Sequence, residues 1–179
     1  MSKPYYKAET FKPGKSIGYL MRRCGVVMSQ IAERRFQASS VSFIQWSALM
    51  RLCVEAGHMS ATRLSRDLGY DMGALTRIVD DLERRGLVRR ERSRRDRRAV
   101  EITVTAAGRR EADSGKRVVV GLLNELVEPY SEAEIAALID LLQRMLARLQ
   151  DIAAASAVDP APVSQIPHRR RKSRSGAAA

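Results

Sequence analysis

Cysteine and histidine are both scarce in this 179-residue chain: Cys24 and Cys53 are the only cysteines, and there are only two histidines. Two cysteines are too few for a disulfide framework, and no His/Cys spacing suits a metal site, so neither a stapled scaffold nor a metalloprotein is expected. No apolar run approaches the roughly 18 residues a membrane span needs, so no membrane partner is expected. The stretch "MSKPYYKAETFKPGKS" lacks the apolar segment of a signal peptide, which makes the cytoplasm the expected location. A nucleophile elbow, a Gly-rich phosphate loop and an HExxH motif are all missing. The chain is therefore read as no enzyme and as needing no cofactor. Its 45% hydrophobic and 29% charged residues suit one ordinary globular domain with a tail.

Acidic residues are missing where basic ones crowd. Arg84 to Arg98 holds nine arginines against Glu91 and Asp96, a net +7, and "HRRRKSR", His168 to Arg174, adds five basic residues with no acid. Those two segments carry the whole formal surplus of +12 on an otherwise neutral body. A solvated surface mixes its signs, whereas a one-signed patch is the footprint of a polyanion partner.

The apolar pattern is mostly helical. After a flexible arm at 1–15, Ile17, Leu20, Cys24, Val27 and Ile31 recur at helix spacing. In "SSVSFIQWSALMRLCVEAG" Ser42 and Gln45 form a capping box, and Phe43, Trp46, Met50 and Cys53 mark the buried face of a second helix. Ser60 caps a short helix that buries Ala61, Leu64 and Leu68 before Gly69 closes it. Asp71 caps a further helix with Leu75, Ile78, Val79 and Leu82 on one stripe and Gly86 at its end. Two short helices across a tight Gly-containing junction predict a helix-turn-helix.

A β-hairpin follows directly, with "LVRRER" and "AVEITV" as strands and a turn around Ser93 to Asp96. Thr105 then caps a long helix whose apolar face is Val118, Val119, Leu122, Leu126 and Val127. "SEAE", Ser131 to Glu134, opens the last helix, where Ile135, Leu138, Leu142, Met145, Leu149 and Ile152 form an a/d seam. From Ala153 the composition turns Ala/Pro/Ser-rich and then basic, which predicts a disordered basic tail over 153–179. The expected fold is mainly α with a small β-hairpin wing.

On the Asp71–Arg85 helix the outer face presents Met72, Gly73, Thr76 and Arg77. Small residues at its start allow close entry into a major groove, its N-terminal amides favour phosphate, and Thr76 and Arg77 reach base edges. At the hairpin tip Arg94, Arg95, Arg97 and Arg98 suit a narrow minor groove. Asp96 would be repelled by DNA unless paired, so its expected work is to support the wing by holding Arg98. A plain surface helix and a charge-protected edge strand explain either half alone, but not the two together. Double-stranded DNA is the expected partner.

"DMGALTRIVDDLERRGLVRRERSRRDRRAVEITVTAAG" resembles the core of the MarR family of bacterial transcriptional regulators. There a recognition helix precedes "LV.R", a wing with D-x-R, and a strand ending Leu-Thr before "xxG". Here these are Asp96-Arg97-Arg98, Val104-Thr105 and Gly108, with Val in place of Leu. The resemblance runs over Ile17 to Ile152 in element order and is specific from Ser60 to Gly108. It implies a winged helix-turn-helix over about 42–104 within a domain at 16–152, with dimerisation helices at about 16–36 and 105–152. It further implies a homodimer, a repressor on a pseudo-palindromic operator, and release by a small phenolic or aromatic acid held between the lobes.

Tyr19, Arg23, Trp46, Met50 and His58 are the candidates for lining such a site. Each has a plain alternative: Trp46 and Met50 fit the core, His58 a loop, and Arg23 water. Cys24 and Cys53 fall on apolar stripes, where a buried thiol is usually inert. A non-specific architectural protein that coats DNA is the competing function, favoured by the basic tail through salt-sensitive affinity.

Overall fold

In the computed structural model the protein is described over residues 4–92 and 100–155. Among those residues the helices are α1 (Ile17–Arg35), α2 (Phe43–Val54), α3 (Ala61–Leu68), α4 (Met72–Arg84), α5 (Ala106–Val127) and α6 (Glu132–Ala155). A small sheet joins them, made of β1 (His58–Ser60), β2 (Val88–Arg92) and β3 (Val100–Val104), all antiparallel in the order β1-β3-β2.

Each helix from α1 to α5 begins at a residue that accepts a hydrogen bond from the first turn. The caps are Ser16, Ser42, Ser60, Asp71 and Thr105, and Ser42 with Gln45 completes a reciprocal box. A second such box forms at Ser131 and Glu134, where the Ser131 amide donates to Glu134 Oε2 at 2.9 Å. These side chains satisfy amides that no intrahelical carbonyl can reach. Gly69 closes α3 at φ +70°, a left-handed conformation that costs other residues a Cβ clash.

The core lies where α2, α3, α4, the sheet and α5 converge. Leu49 and Leu52 of α2, Leu64 of α3, Leu75, Val79 and Leu82 of α4, and Val88 and Ile102 of the sheet are the largest fully buried side chains. Each contributes on the order of 1.5–3 kcal/mol by leaving water. Trp46 completes one end of this core. Its ring stacks on Phe43 at 5.8 Å and tilts against Phe36 at 5.7 Å, while its Nε1 donates to the Ala112 carbonyl at 2.9 Å.

The structure departs from the sequence pattern at four places. The α2 face is broader than expected, since Ala48, Leu49 and Leu52 are buried while Phe43, Met50 and Cys53 are only half-buried. A helix packed on several sides has no single apolar stripe. β1 was not foreseen: three residues are too few to show alternation, and their pairing with β3 supplies the strand. The segment from Pro4 to Ser16 carries local structure, with 3-10 turns at Ala8–Thr10 and Pro13–Lys15. Tyr6 packs edge-on against Phe11 there, and its hydroxyl accepts a bond from the Ile17 amide at 3.0 Å. Finally, α6 continues to Ala155, beyond the expected end at Ile152.

Two apolar faces remain uncovered in the single protomer. Ile17, Leu20, Cys24 and Val27 of α1 are exposed, which corrects the expectation of a buried Cys24. α6 buries no residue at all, and Leu138, Leu142, Leu149 and Ile152 of its seam are each at least two-fifths exposed.

Candidate nucleic-acid interface

Three features hold the turn between α3 and α4. The Ser65 hydroxyl donates to the Tyr70 carbonyl at 2.6 Å, the Tyr70 amide donates to the Ser65 carbonyl at 3.1 Å, and Asp71 receives the Ala74 amide at 2.8 Å. With Leu75, Val79 and Leu82 buried, α4 turns Met72, Gly73, Thr76 and Arg77 outward, and all four are exposed. Thr76 returns its hydroxyl proton to the Met72 carbonyl at 2.7 Å, which leaves its methyl group and an oxygen lone pair on the outer face.

The other end of α4 is fastened by residues of α2 and of the loop before it. Gln45 of α2 donates from Nε2 to Asp81 at 2.6 Å, while its Oε1 accepts from the Ser42 amide. Arg85 reaches that oxygen at 3.2 Å and the Ser40 carbonyl at 2.7 Å, and the Ser40 hydroxyl donates to Glu111 of α5. The capping box of α2 thus also locks α4 in place. Its i,i+3 spacing was legible in sequence, but its second partner 36 residues away was not.

Behind α4 the hairpin pairs Val88 with Val104 through to Arg92 with Val100. Val88, Ile102 and Val104 point into the core, while Val100 is exposed near the tip. Thr105 binds the hairpin's base to the end of α4 by donating to the Gly86 carbonyl at 2.7 Å, in addition to capping α5.

The structure divides the arginine crowd. Arg84 pairs with Asp81 at 3.0 Å, Arg85 with Asp81 at 3.7 Å, Arg89 with Glu91 at 2.7 Å, and Arg90 with both Asp80 and Glu83 at 2.7 Å. Burial works against the Arg90 charge, yet its hydrogen bonds to Asp80 and Glu83 outweigh that effect and raise its pKa. From Asp80 to Arg92 five arginines face four carboxylates, so this half of the basic run is almost neutral. Three of those four carboxylates, Asp80, Asp81 and Glu83, lie in the helical turn just before Arg84. The arginines assigned to the tip, Arg94, Arg95, Arg97 and Arg98, lie with Asp96 outside the described residues.

The five candidates for a ligand site are spread apart by role. Trp46 is a satisfied core side chain and Met50 packs against the core. His58 is exposed on β1 opposite Thr103, and Tyr19 and Arg23 are exposed on α1. Among the described residues no hydrogen bond, ion pair or ring contact links Tyr19 or Arg23 to the other three. Cys53 is half-buried, and burial pushes its thiol pKa up despite the nearby Arg109. No helix among the described residues is long and apolar enough to cross a membrane.

Known proteins share this arrangement. The MarR family model matches residues 39–99, from the approach to α2 to just before β3. The uncharacterized HTH-type transcriptional regulators YdgJ and YcgE of Bacillus subtilis are each 31% identical. The matches run over 106 residues (59% of this chain, 65% of YdgJ) and 103 residues (54% of this chain, 67% of YcgE). The match to YdgJ therefore spans just under two thirds of that regulator. A mutant MarR from E. coli complexed with operator DNA is similar at 25% identity and a TM-score of 0.63, covering 73% of this chain and 93% of that one. CouR from Rhodococcus jostii, bound to p-coumaroyl-CoA, is similar at 26% identity and a TM-score of 0.65, covering 76% and 95%. Sharing sequence with the regulators and a winged helix with the solved structures, this chain belongs to the MarR family of DNA-binding transcriptional regulators.

Proposed function

We propose that the protein is a homodimeric repressor that reads a pseudo-palindromic operator and is released from it by a small aromatic or phenolic acid. The observation that carries the reading is α4 itself: capped by Asp71, pinned at its far end through Gln45, and presenting Met72, Gly73, Thr76 and Arg77 to solvent. In this reading α4 enters the major groove, where Arg77 recognises a base edge and Thr76 offers its methyl group to thymine. Arg94, Arg95, Arg97 and Arg98 hold the flanking minor groove, with Asp96 orienting Arg98. The uncovered faces of α1 and α6 meet their copies in the dimer, which sets two α4 helices one turn of DNA, about 34 Å, apart. An effector acts by preferring a dimer with a different spacing. CouR, whose structure holds p-coumaroyl-CoA, supports an aromatic acyl compound as the class to try first.

The near-neutral stretch from Asp80 to Arg92 weighs against a protein that merely coats DNA, because coating calls for cations free to meet phosphate. Selection of bound fragments from random duplexes tests the reading, followed by salt-titrated binding of the selected duplex against a scrambled one. A pseudo-palindrome preferred by about a thousandfold supports the operator reading. Equal binding that falls steeply with salt overturns it in favour of coating.

A further inference from the structure

We propose that Arg90 is a positioning residue that sets the wing against the recognition helix, and that it contributes to DNA recognition through Asp80 and Glu83 rather than through phosphate. The inference rests on α4 and the wing being the DNA-reading face. β2 is an edge strand, and the Arg90 amide turns outward from the sheet, where Glu83 Oε1 receives it at 2.8 Å. The guanidinium then bridges Glu83 Oε2 and Asp80 Oδ1, both at 2.7 Å, and Nη2 approaches the Thr76 carbonyl at 3.5 Å. Thr76, Asp80 and Glu83 are spaced by four and three residues, so they form one stripe along α4. A single side chain thereby fixes the hairpin to nearly two turns of the helix, and the stripe it holds is adjacent to the outward Arg77.

Charge accounting points the same way. One guanidinium faces two carboxylates, so Arg90 offers no spare cation to a phosphate. The planar fork matters because a lysine ammonium is a point donor that cannot match several acceptors in one plane. This is the arginine of the "LV.R" motif, Leu87 to Arg90, to which sequence reading gave no task.

The test uses the full chain and two probes, a duplex selected by the wild-type protein from a random pool and a scrambled duplex of equal composition. Electrostatics alone says that removing a carboxylate beside DNA strengthens binding, whereas loss of positioning weakens it. Glu83→Gln is expected to bind the selected duplex about tenfold more weakly, the scale of one lost charge-assisted hydrogen bond, with scrambled-duplex binding unchanged or tighter. Arg90→Lys is expected to bind as poorly, and Glu83→Gln with Arg90→Met to be no worse than the worse single variant. Asp80→Asn, which leaves the Glu83 contacts intact, guards against a folding defect and is expected to give a smaller loss in the same direction. Tighter binding of both duplexes by Glu83→Gln, or full retention by Arg90→Lys, overturns the proposal. A wild-type protein that does not distinguish the duplexes overturns the operator reading itself, and this role with it.

Discussion

Gly115 shows how one residue sets the distance between two helices. A Cβ built there meets Trp46 Cδ1 and Nε1 and Phe36 Cε1, so α5 approaches α2 closely only because the side chain is absent. Gly115→Ala is expected to destabilise the protein by about 1–3 kcal/mol through overpacking, read as a lower midpoint in thermal unfolding. An unchanged midpoint means the aromatic cluster can move aside. Arg77 belongs to a different class, since it is exposed and makes no contribution to the core. Arg77→Ala is expected to leave thermal stability within about 0.5 kcal/mol of wild type. Its preference for a selected duplex over a scrambled one is expected to fall by roughly 1–3 kcal/mol, and equal losses on both duplexes would reveal a phosphate contact instead.

At the scale of elements, the helix starts were legible because a cap is a local device. Ser42, Ser60, Asp71, Thr105 and Ser131 each lie three residues before the amide they receive, a spacing visible in the chain. Asp71→Ala should cost about 1 kcal/mol and lower the unfolding midpoint by a few degrees, with α4 fraying first in amide hydrogen exchange. The hairpin was legible too, since Ile102 and Val104 alternate with Glu101 and Thr103. Its third strand was not, because His58–Ser60 is extended only by virtue of its partner in β3. For the wing tip, replacing Arg97 and Arg98 together with Ala should weaken operator binding by at least tenfold while the unfolding curve stays in place. Unchanged affinity in a salt-controlled titration would remove the tip from the interface.

For the whole molecule, the dominant fact is the apolar surface the protomer leaves uncovered on α1 and α6. Six seam residues from Ile135 to Ile152 repeat at coiled-coil spacing, yet within one protomer none is buried. Surface of that extent on two helices suits a partner of the same chain. Leu142→Glu with Leu149→Glu is expected to shift the protein from dimer to monomer in sedimentation equilibrium. Operator binding should weaken more than a hundredfold, since two half-sites are then bound independently. A double variant that sediments like wild type would remove the α6 seam from the proposed dimer contact.

The sequence by itself determined the six α-helices and the hairpin in their order, the caps from α2 onward, the face of α4 that turns outward and the location of the surplus charge, because each depends on spacing within a few residues. Tertiary structure decided what those parts touch. It joined Arg90 of the hairpin to Asp80 and Glu83 of α4, recruited Gln45 from a helix cap into the anchor of α4, and set the Trp46 indole N–H against the Ala112 carbonyl. Hydrogen bonds and ion pairs act over a few ångströms of space. Residues separated by 36 or 66 positions become neighbours only when the chain folds.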